Sequence, residues 1–243
     1  EVLDFLYENG GDDFKSLVNM FSSTKDDKGF AEVVNRISHF ISSQDFPDVW
    51  LDKICEIYNP DIKFEDSFCS EYVVNETNSL LDVVEDLHQQ AVDSLDLSDE
   101  KHLKLFDVLE SDRSTIDTLR EYAQTDKWDE MLDTINNLSF ERFPLFKCDG
   151  KAFVKSNRDL YLDIIKNSIA KMYSVSSDDY LDDCYALYPV IKQLTETVKL
   201  YNKKQLEMKK ELNSFTFSDI EHFAIDLLFY LDESGEIVRT PLA

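Results

Sequence analysis

Hydrophobic residues return every three or four positions along nearly the whole chain, the spacing that lines up one face of an α-helix. Val2, Phe5 and Leu6 make a first stripe, closed by Gly10 and Gly11, and Phe14, Leu17, Val18 and Phe21 make the next. Gly29 precedes a third stripe of Phe30, Val33, Val34, Ile37, Phe40 and Ile41. Pro47 stands where a first-turn proline belongs, ahead of Trp50, Ile54 and Ile57, and Asn59-Pro60-Asp61 ends that helix. The pattern resumes in Leu80, Leu81, Val84 and Leu87, then Leu103, Phe106 and Leu109, then Trp128, Leu132 and Ile135. Pro189 opens the longest run, Ile191, Leu194, Val198, Tyr201, Met208 and Leu212, which as a straight helix would be about 36 Å long. Its other face carries Lys199, Lys203, Lys204, Lys209 and Lys210. Fewer than four clean heptads are present, which predicts packing on a neighbouring helix rather than a free coiled coil. Every stripe has a period near 3.6, so the predicted fold is all-α, an irregular helical bundle of roughly nine or ten helices with little or no sheet.

Near the C-terminus Ser218 and Glu221 have the spacing of a capping box, and Phe223, Ala224, Leu227, Leu228 and Leu231 continue the helix that it starts. Asp232-Glu233-Ser234-Gly235-Glu236 is a polar turn, and the segment after Leu231 is expected to be loosely held.

Composition agrees with helices: 243 residues hold only five Gly and five Pro, little material for tight turns. A hydrophobic share of 43% excludes a disordered acidic tail despite a net charge of −25. That charge excludes nucleic-acid binding by the chain as a whole, because phosphates are held by Lys and Arg. Cys55, Cys69, Cys148 and Cys184 lie far apart and away from His39, His88, His102 and His222, so reduced buried thiols are expected rather than zinc or disulfides, which suits a cytoplasm. No run of apolar residues is long enough to span a membrane. The chain starts at Glu1 without Met or a signal-like segment, consistent with a mature protein or a piece of a longer one.

Catalytic motifs are missing from the sequence. There is no G-x-x-x-x-G-K-[ST], no G-x-S-x-G and no H-E-x-x-H. Acidic pairs (Asp12-Asp13, Asp26-Asp27, Asp178-Asp179, Asp182-Asp183) are too abundant for any one of them to mark a metal or acid–base site. No catalytic residue and no metal ligand is predicted.

One window departs from the acidic background. Between Ser139 and Lys171 seven basic side chains (Arg142, Lys147, Lys151, Lys155, Arg158, Lys166, Lys171) face four acidic ones. Pro144 and Gly150 break regularity there, so a loop rimmed by Phe140, Phe143, Phe146 and Phe153 should lead into a helix beginning near Ser156. By composition the window is either a solvated face or a phosphate-contacting patch.

The residues Phe217-Ser218-Asp219-Ile220-Glu221-His222-Phe223-Ala224, after a Lys-bearing helix, resemble the D-F-S-D-L-E-H-x-A-L segment of the AddA (RexA) subunits of AddAB helicase-nucleases, within UvrD-like superfamily 1. Pro47-Asp48-Val49-Trp50-Leu51 is similar to the family's P-E-A-W-L, and the stretch from Phe140 through Arg158 and Lys166 is also similar. Thr216 stands where the family usually has Asp. The resemblance implies a piece of a larger enzyme: residues 1–213 would be the helical insertion called subdomain 1B, with an internal boundary expected near 139, and 214–243 the first segment of the returning motor core. It implies a bacterial cytoplasmic parent that uses ATP and Mg²⁺ held outside this chain, unwinds DNA 3′ to 5′, cuts at double-strand breaks for repair, and pairs with an AddB (RexB) subunit. Within that parent this region would be non-catalytic and would contact or position double-stranded DNA ends, the seven basic residues of the window being the candidates. The rival expectation is a free-standing acidic all-helical module that binds a basic partner. A third is a metal-dependent hydrolase using the acidic pairs, which predicts a metal-induced melting shift.

Overall fold

A computed structural model of the chain describes residues 2–9, 11–22, 28–232 and 235–243. Gly10, Asp26, Asp27, Glu233 and Ser234, named above from the sequence, lie outside the described residues. The fold is an all-α irregular helical bundle: among the described residues it has eleven α-helices and a single two-stranded antiparallel hairpin. The chain divides into two compact units, one formed by 1–59 with 184–243 and the other by 60–183.

The first unit contains α1 (Val2–Asn9), α2 (Asp12–Phe21), α3 (Lys28–Ile41) and α4 (Pro47–Glu56). It also holds most of α10 (Ser177–Glu211), then α11 (Phe217–Leu228) and the strands β1 (Phe229–Leu231) and β2 (Ile237–Arg239). Its core is built from the predicted stripes: Leu6, Phe14, Leu17, Val18, Phe30, Val34, Ile41 and Leu51 close over Leu194, Val198 and Tyr201 of α10. Phe30 is fully buried among Tyr7, Phe14 and Phe21, with ring centroids 5.6–6.4 Å away. Gly29 is required by close approach, since a Cβ there would lie 2.2 Å from the Phe21 carbonyl oxygen.

Two boundaries differ from expectation here. The long helix starts at Ser177 rather than Pro189, which lies inside α10. Ser176 explains the earlier start: its hydroxyl accepts from the Asp179 N–H at 3.1 Å and caps the helix. A proline without an N–H leaves the carbonyl four residues earlier, at Tyr185, without its usual helical donor. At the other end α11 stops at Leu228, and Phe229–Leu231 pairs with Ile237–Arg239 across the polar turn, with Gly235 at φ 79°. β-prone Phe229 and Tyr230 sit beside a turn that can return the chain, so three residues expected in a helix form a strand.

The second unit opens with a 3₁₀ turn (Phe64–Asp66) and holds α5 (Phe68–Asp93), α6 (Glu100–Gln124), α7 (Trp128–Asn136), α8 (Lys151–Asp163), a π-helical segment (Ile164–Ile169) and α9 (Ala170–Met172). It also takes the opening of α10 through Asp183. Leu81, Val84, Leu109, Ile116, Leu119, Val154, Tyr161, Ile165 and Ile169 form its core, and α5 packs on both α6 and α8. Trp128 sits against Phe64 and Tyr173 at 4.8 and 4.4 Å, and its indole N–H donates to the Val175 carbonyl at 2.9 Å. The helix after the loop begins at Lys151, ahead of the expected Ser156, because Gly150 turns the chain through φ 68° directly into α8. All four cysteines are free thiols; Cys55 and Cys184 are buried, Cys69 and Cys148 half-buried. No helix among the described residues is long and apolar enough to cross a membrane.

Candidate nucleic-acid interface

The basic window lies wholly in the second unit, and its side chains separate into three kinds. Arg142, Lys147 and Lys171 are exposed and form no ion pair among the described residues. Lys155, Lys166 and Lys151 are engaged but accessible. Lys155 pairs with Asp159, Lys166 stands over the Phe140 ring at 4.9 Å, and half-buried Lys151 lies over Phe143 and Phe146 while donating to the Phe146 carbonyl.

Arg158 is of the third kind and leaves the set of surface cations. It is 4% exposed, and its Nε and Nη2 donate to the two carboxylate oxygens of Asp112 at 2.6 and 3.0 Å. Nη2 also donates to the Glu141 carbonyl at 2.8 Å, and the guanidinium lies 5.5 Å from the Phe143 centroid. A planar fork engaged in this way and closed off from solvent has no donor to offer a phosphate. Tyr161 completes the knot by donating to Asp112 at 2.5 Å, and burial, then the carboxylate, hold its hydroxyl far above the ordinary phenol range. Periodicity alone does not single out Asp112 or Tyr161, although a signal exists: Asp112 interrupts the apolar stripe Leu105, Val108, Leu109, Ile116, Leu119 at a core-facing position.

The knot serves the irregular segment 137–150. No strand or helix satisfies that segment's backbone, and four side chains do so in part. Arg158 takes the Glu141 carbonyl, Lys151 the Phe146 carbonyl, Lys101 the Lys147 carbonyl at 3.0 Å and His102 the Asp149 carbonyl at 3.0 Å. Phe140 and Phe143 turn onto the core while Arg142, Leu145 and Lys147 point outward, Leu145 being 80% exposed.

The motif segment lies in the first unit and lines a cleft of about 960 Å³ between the ends of α3 and α4, α10 and α11. Its capping box is Thr216 with Asp219, not Ser218 with Glu221. The Thr216 hydroxyl accepts from the Asp219 N–H at 3.3 Å, and the Asp219 carboxylate accepts from the Thr216 N–H at 2.7 Å. The register moves because Asn213, at φ 47°, ends α10 and leaves Thr216 extended as the residue before the first helical position. Ser218 is thereby released to donate to the Ser42 carbonyl at 2.9 Å. The ring nitrogens of His222 lie 2.8 Å from the carbonyl oxygens of Ser218 and Gln44. Glu221 is exposed and Phe217 is 88% exposed. The segment therefore ties α11 to the turn after α3, and Lys199, Lys204 and Lys209 of the long helix are ion-paired with Asp52 and Glu196, with Glu207, and with Asp219.

The box can be tested from both of its members. Replacing Thr216 with Ala should cost about 1 kcal/mol of α11 stability, whereas Asp at the same position, also a strong N-cap, should cost much less; amide protection along Phe217–Leu228 measures both. Burial pushes the Asp219 carboxyl up, but Lys209 and two Thr216 donors outweigh it and hold the group below the ordinary carboxylate range. With the folded pKa below the unfolded value of about 4, the contribution is fully present above pH 4 and lost as pH falls through the folded value. Protection of α11 should therefore decline below about pH 4 in the native chain, and Asp219→Asn should already show the lower protection at neutral pH. An equal pH dependence in both would refute the assignment.

No group of three or more His, Cys, Asp or Glu among the described residues is placed to hold a metal ion. Fold and site define the chain's class: an all-α region whose polar clusters fasten helices and one loop. Relatives make this particular. The chain is homologous along its length to a region of proteins named as the AddA subunits of ATP-dependent helicase/nucleases. That of Thermoanaerobacter sp. (strain X514) is 29% identical over 237 residues, covering 95% of this chain and 19% of the relative. Those of Acetivibrio thermocellus and Bacillus cereus (strain B4264) are 26% and 25% identical, each covering 100% of this chain and 20% of the relative. The chain thus spans about a fifth of the length of the curated relatives it matches. No family model matches it.

Proposed function

We propose that this chain is a non-catalytic accessory region, of the 1B type, within an ATP-dependent 3′-to-5′ helicase-nuclease that acts on double-stranded DNA ends in break repair. The observation that carries the reading is whole-length similarity to AddA-type helicase/nuclease proteins at about a fifth of their length. The exposed C-terminal surface supports it. α11 has no buried residue, and Phe217, Ile220, Leu227, Tyr230 and Ile237 are each at least 50% exposed. Such a contiguous apolar surface is expected where more protein packs, and residues 214–243 fit the first segment of a returning motor core. ATP and Mg²⁺ belong to the parent protein outside this chain, which has no G-x-x-x-x-G-K-[ST] sequence. An AddB-type partner and the bacterial cytoplasm complete the proposal.

In this reading Arg142, Lys147, Lys151, Lys155, Lys166 and Lys171 position the duplex while the motor core supplies most of the affinity. The isolated chain, at −25, should bind duplex DNA more weakly than roughly 10⁻⁴ M. Changing Arg142, Lys166 and Lys171 to Glu in the full-length enzyme should impair unwinding from blunt ends and leave ATPase on single-stranded DNA near normal. Unchanged unwinding would reduce the window to a solvated face.

A further inference from the structure

The loop 137–150 has a construction that phosphate contact alone does not require. Its backbone is held at Glu141, Phe146, Lys147 and Asp149 by Arg158, Lys151, Lys101 and His102, side chains that come from α6 and α8. Phe140 and Phe143 root it in the core, and cations sit on both rings. Pro144 fixes one backbone angle immediately before the tip. On this rigid base the outermost side chain is apolar: Leu145 is 80% exposed. Arg142 and Lys147 flank it, both exposed and without an ion pair among the described residues.

Each feature has a physical consequence. An isolated exposed Leu needs no explanation on an ordinary surface. Here it is held at the tip of a segment whose ordering entropy has been met in folding, which lowers the cost of any contact it makes. Two exposed cations on either side attract phosphates, and an apolar side chain between them meets what lies between phosphates on a nucleic acid, the face of a base. Leu is one of the residues that wedge against base steps in this way. The carboxylates of Glu141 and Asp149 stand at the loop's two ends, on the far sides of the two cations in sequence, so the tip itself is cationic and apolar.

Resting on the DNA-positioning reading above, we infer that the loop 137–150 is a preformed wedge. Leu145 packs on the exposed base face at a duplex end or unpaired step, and Arg142 and Lys147 contact the flanking phosphates. Arg158, with Asp112 and Tyr161, is the positioning residue that holds the loop for this contact.

The test uses the full-length helicase-nuclease with its partner and a blunt duplex carrying 2-aminopurine in the terminal pair. Leu145→Ser, at a site too exposed to affect folding, should remove most of the 2-aminopurine fluorescence rise on binding and slow blunt-end unwinding roughly tenfold, the scale of burying one leucine. The salt dependence of binding should stay unchanged. Leu145→Trp should preserve the fluorescence rise. Arg142→Ala with Lys147→Ala should instead flatten the salt dependence, by close to one unit of slope per lost phosphate contact. If Leu145→Ser matches the native protein in both readouts while the cation variant is impaired, the wedge is overturned and the DNA reading stands. If neither variant changes anything, both fall. If Leu145→Ser weakens capture of the AddB-type partner but leaves the fluorescence intact, the tip is a protein contact and the wedge is likewise overturned.

Discussion

Replacing Asp112 with Ala should destabilise the unit 60–183 by about 3–5 kcal/mol, the cost of leaving a buried charge without its partner. Arg158 is 4% exposed and takes both oxygens of this carboxylate, and the Tyr161 hydroxyl donates to it as well, so one substitution orphans three donors. The chain's two tryptophans, Trp50 and Trp128, fall one in each unit, so denaturation followed by Trp128 fluorescence in a Trp50→Phe background reads this unit by itself. A double variant, Asp112→Leu with Arg158→Met, should recover much of the loss, because an apolar pair of similar volume needs no desolvation. A loss under about 1 kcal/mol for Asp112→Ala would mean that water satisfies Arg158 and the knot is not closed. The double variant should also loosen the loop 137–150, whose Glu141 carbonyl loses its donor, and increased hydrogen exchange there would separate loop positioning from global stability.

Phe30→Ala should cost a similar amount, about 3–5 kcal/mol, in the unit formed by 1–59 and 184–243. Phe30 is fully buried and meets the rings of Tyr7, Phe14 and Phe21 edge-on or tilted, so truncation removes both area and aromatic contacts and leaves a cavity that three rigid rings fill poorly. Trp50 fluorescence in a Trp128→Phe background reports it. A change within about 0.5 kcal/mol would show that α1 and α2 contribute little to that unit's stability.

Much of the fold is legible in the sequence because periodicity is a local property. Spacing alone places Phe14, Leu17, Val18, Phe30, Val34, Leu81, Val84 and Leu109 on helix faces, and all are buried. The resemblance to helicase-nuclease proteins is legible too, since short segments such as 217–224 carry it without any knowledge of contacts. Boundaries are less so. Pro189 and Ser218 are good helix starters, yet Ser176 and Thr216 take those roles, because a cap depends on the backbone angles of the residue before the helix and those follow from how the preceding element ends.

The sequence by itself determined that this chain is helical, acidic and folded, with one basic window, because composition and period act through local propensity and summed charge. Only the tertiary structure decided which members of that window face solvent. Arg158 and Lys171 look alike in sequence, but Arg158 is buried against a carboxylate 46 residues away, and Lys171 is exposed. A long-range ion pair leaves no periodic trace beyond one misplaced Asp on an apolar stripe. The loop's outward Leu145 and inward Phe143 were equally undecided, since an irregular segment has no period and its side chains point where α6 and α8 hold its carbonyls.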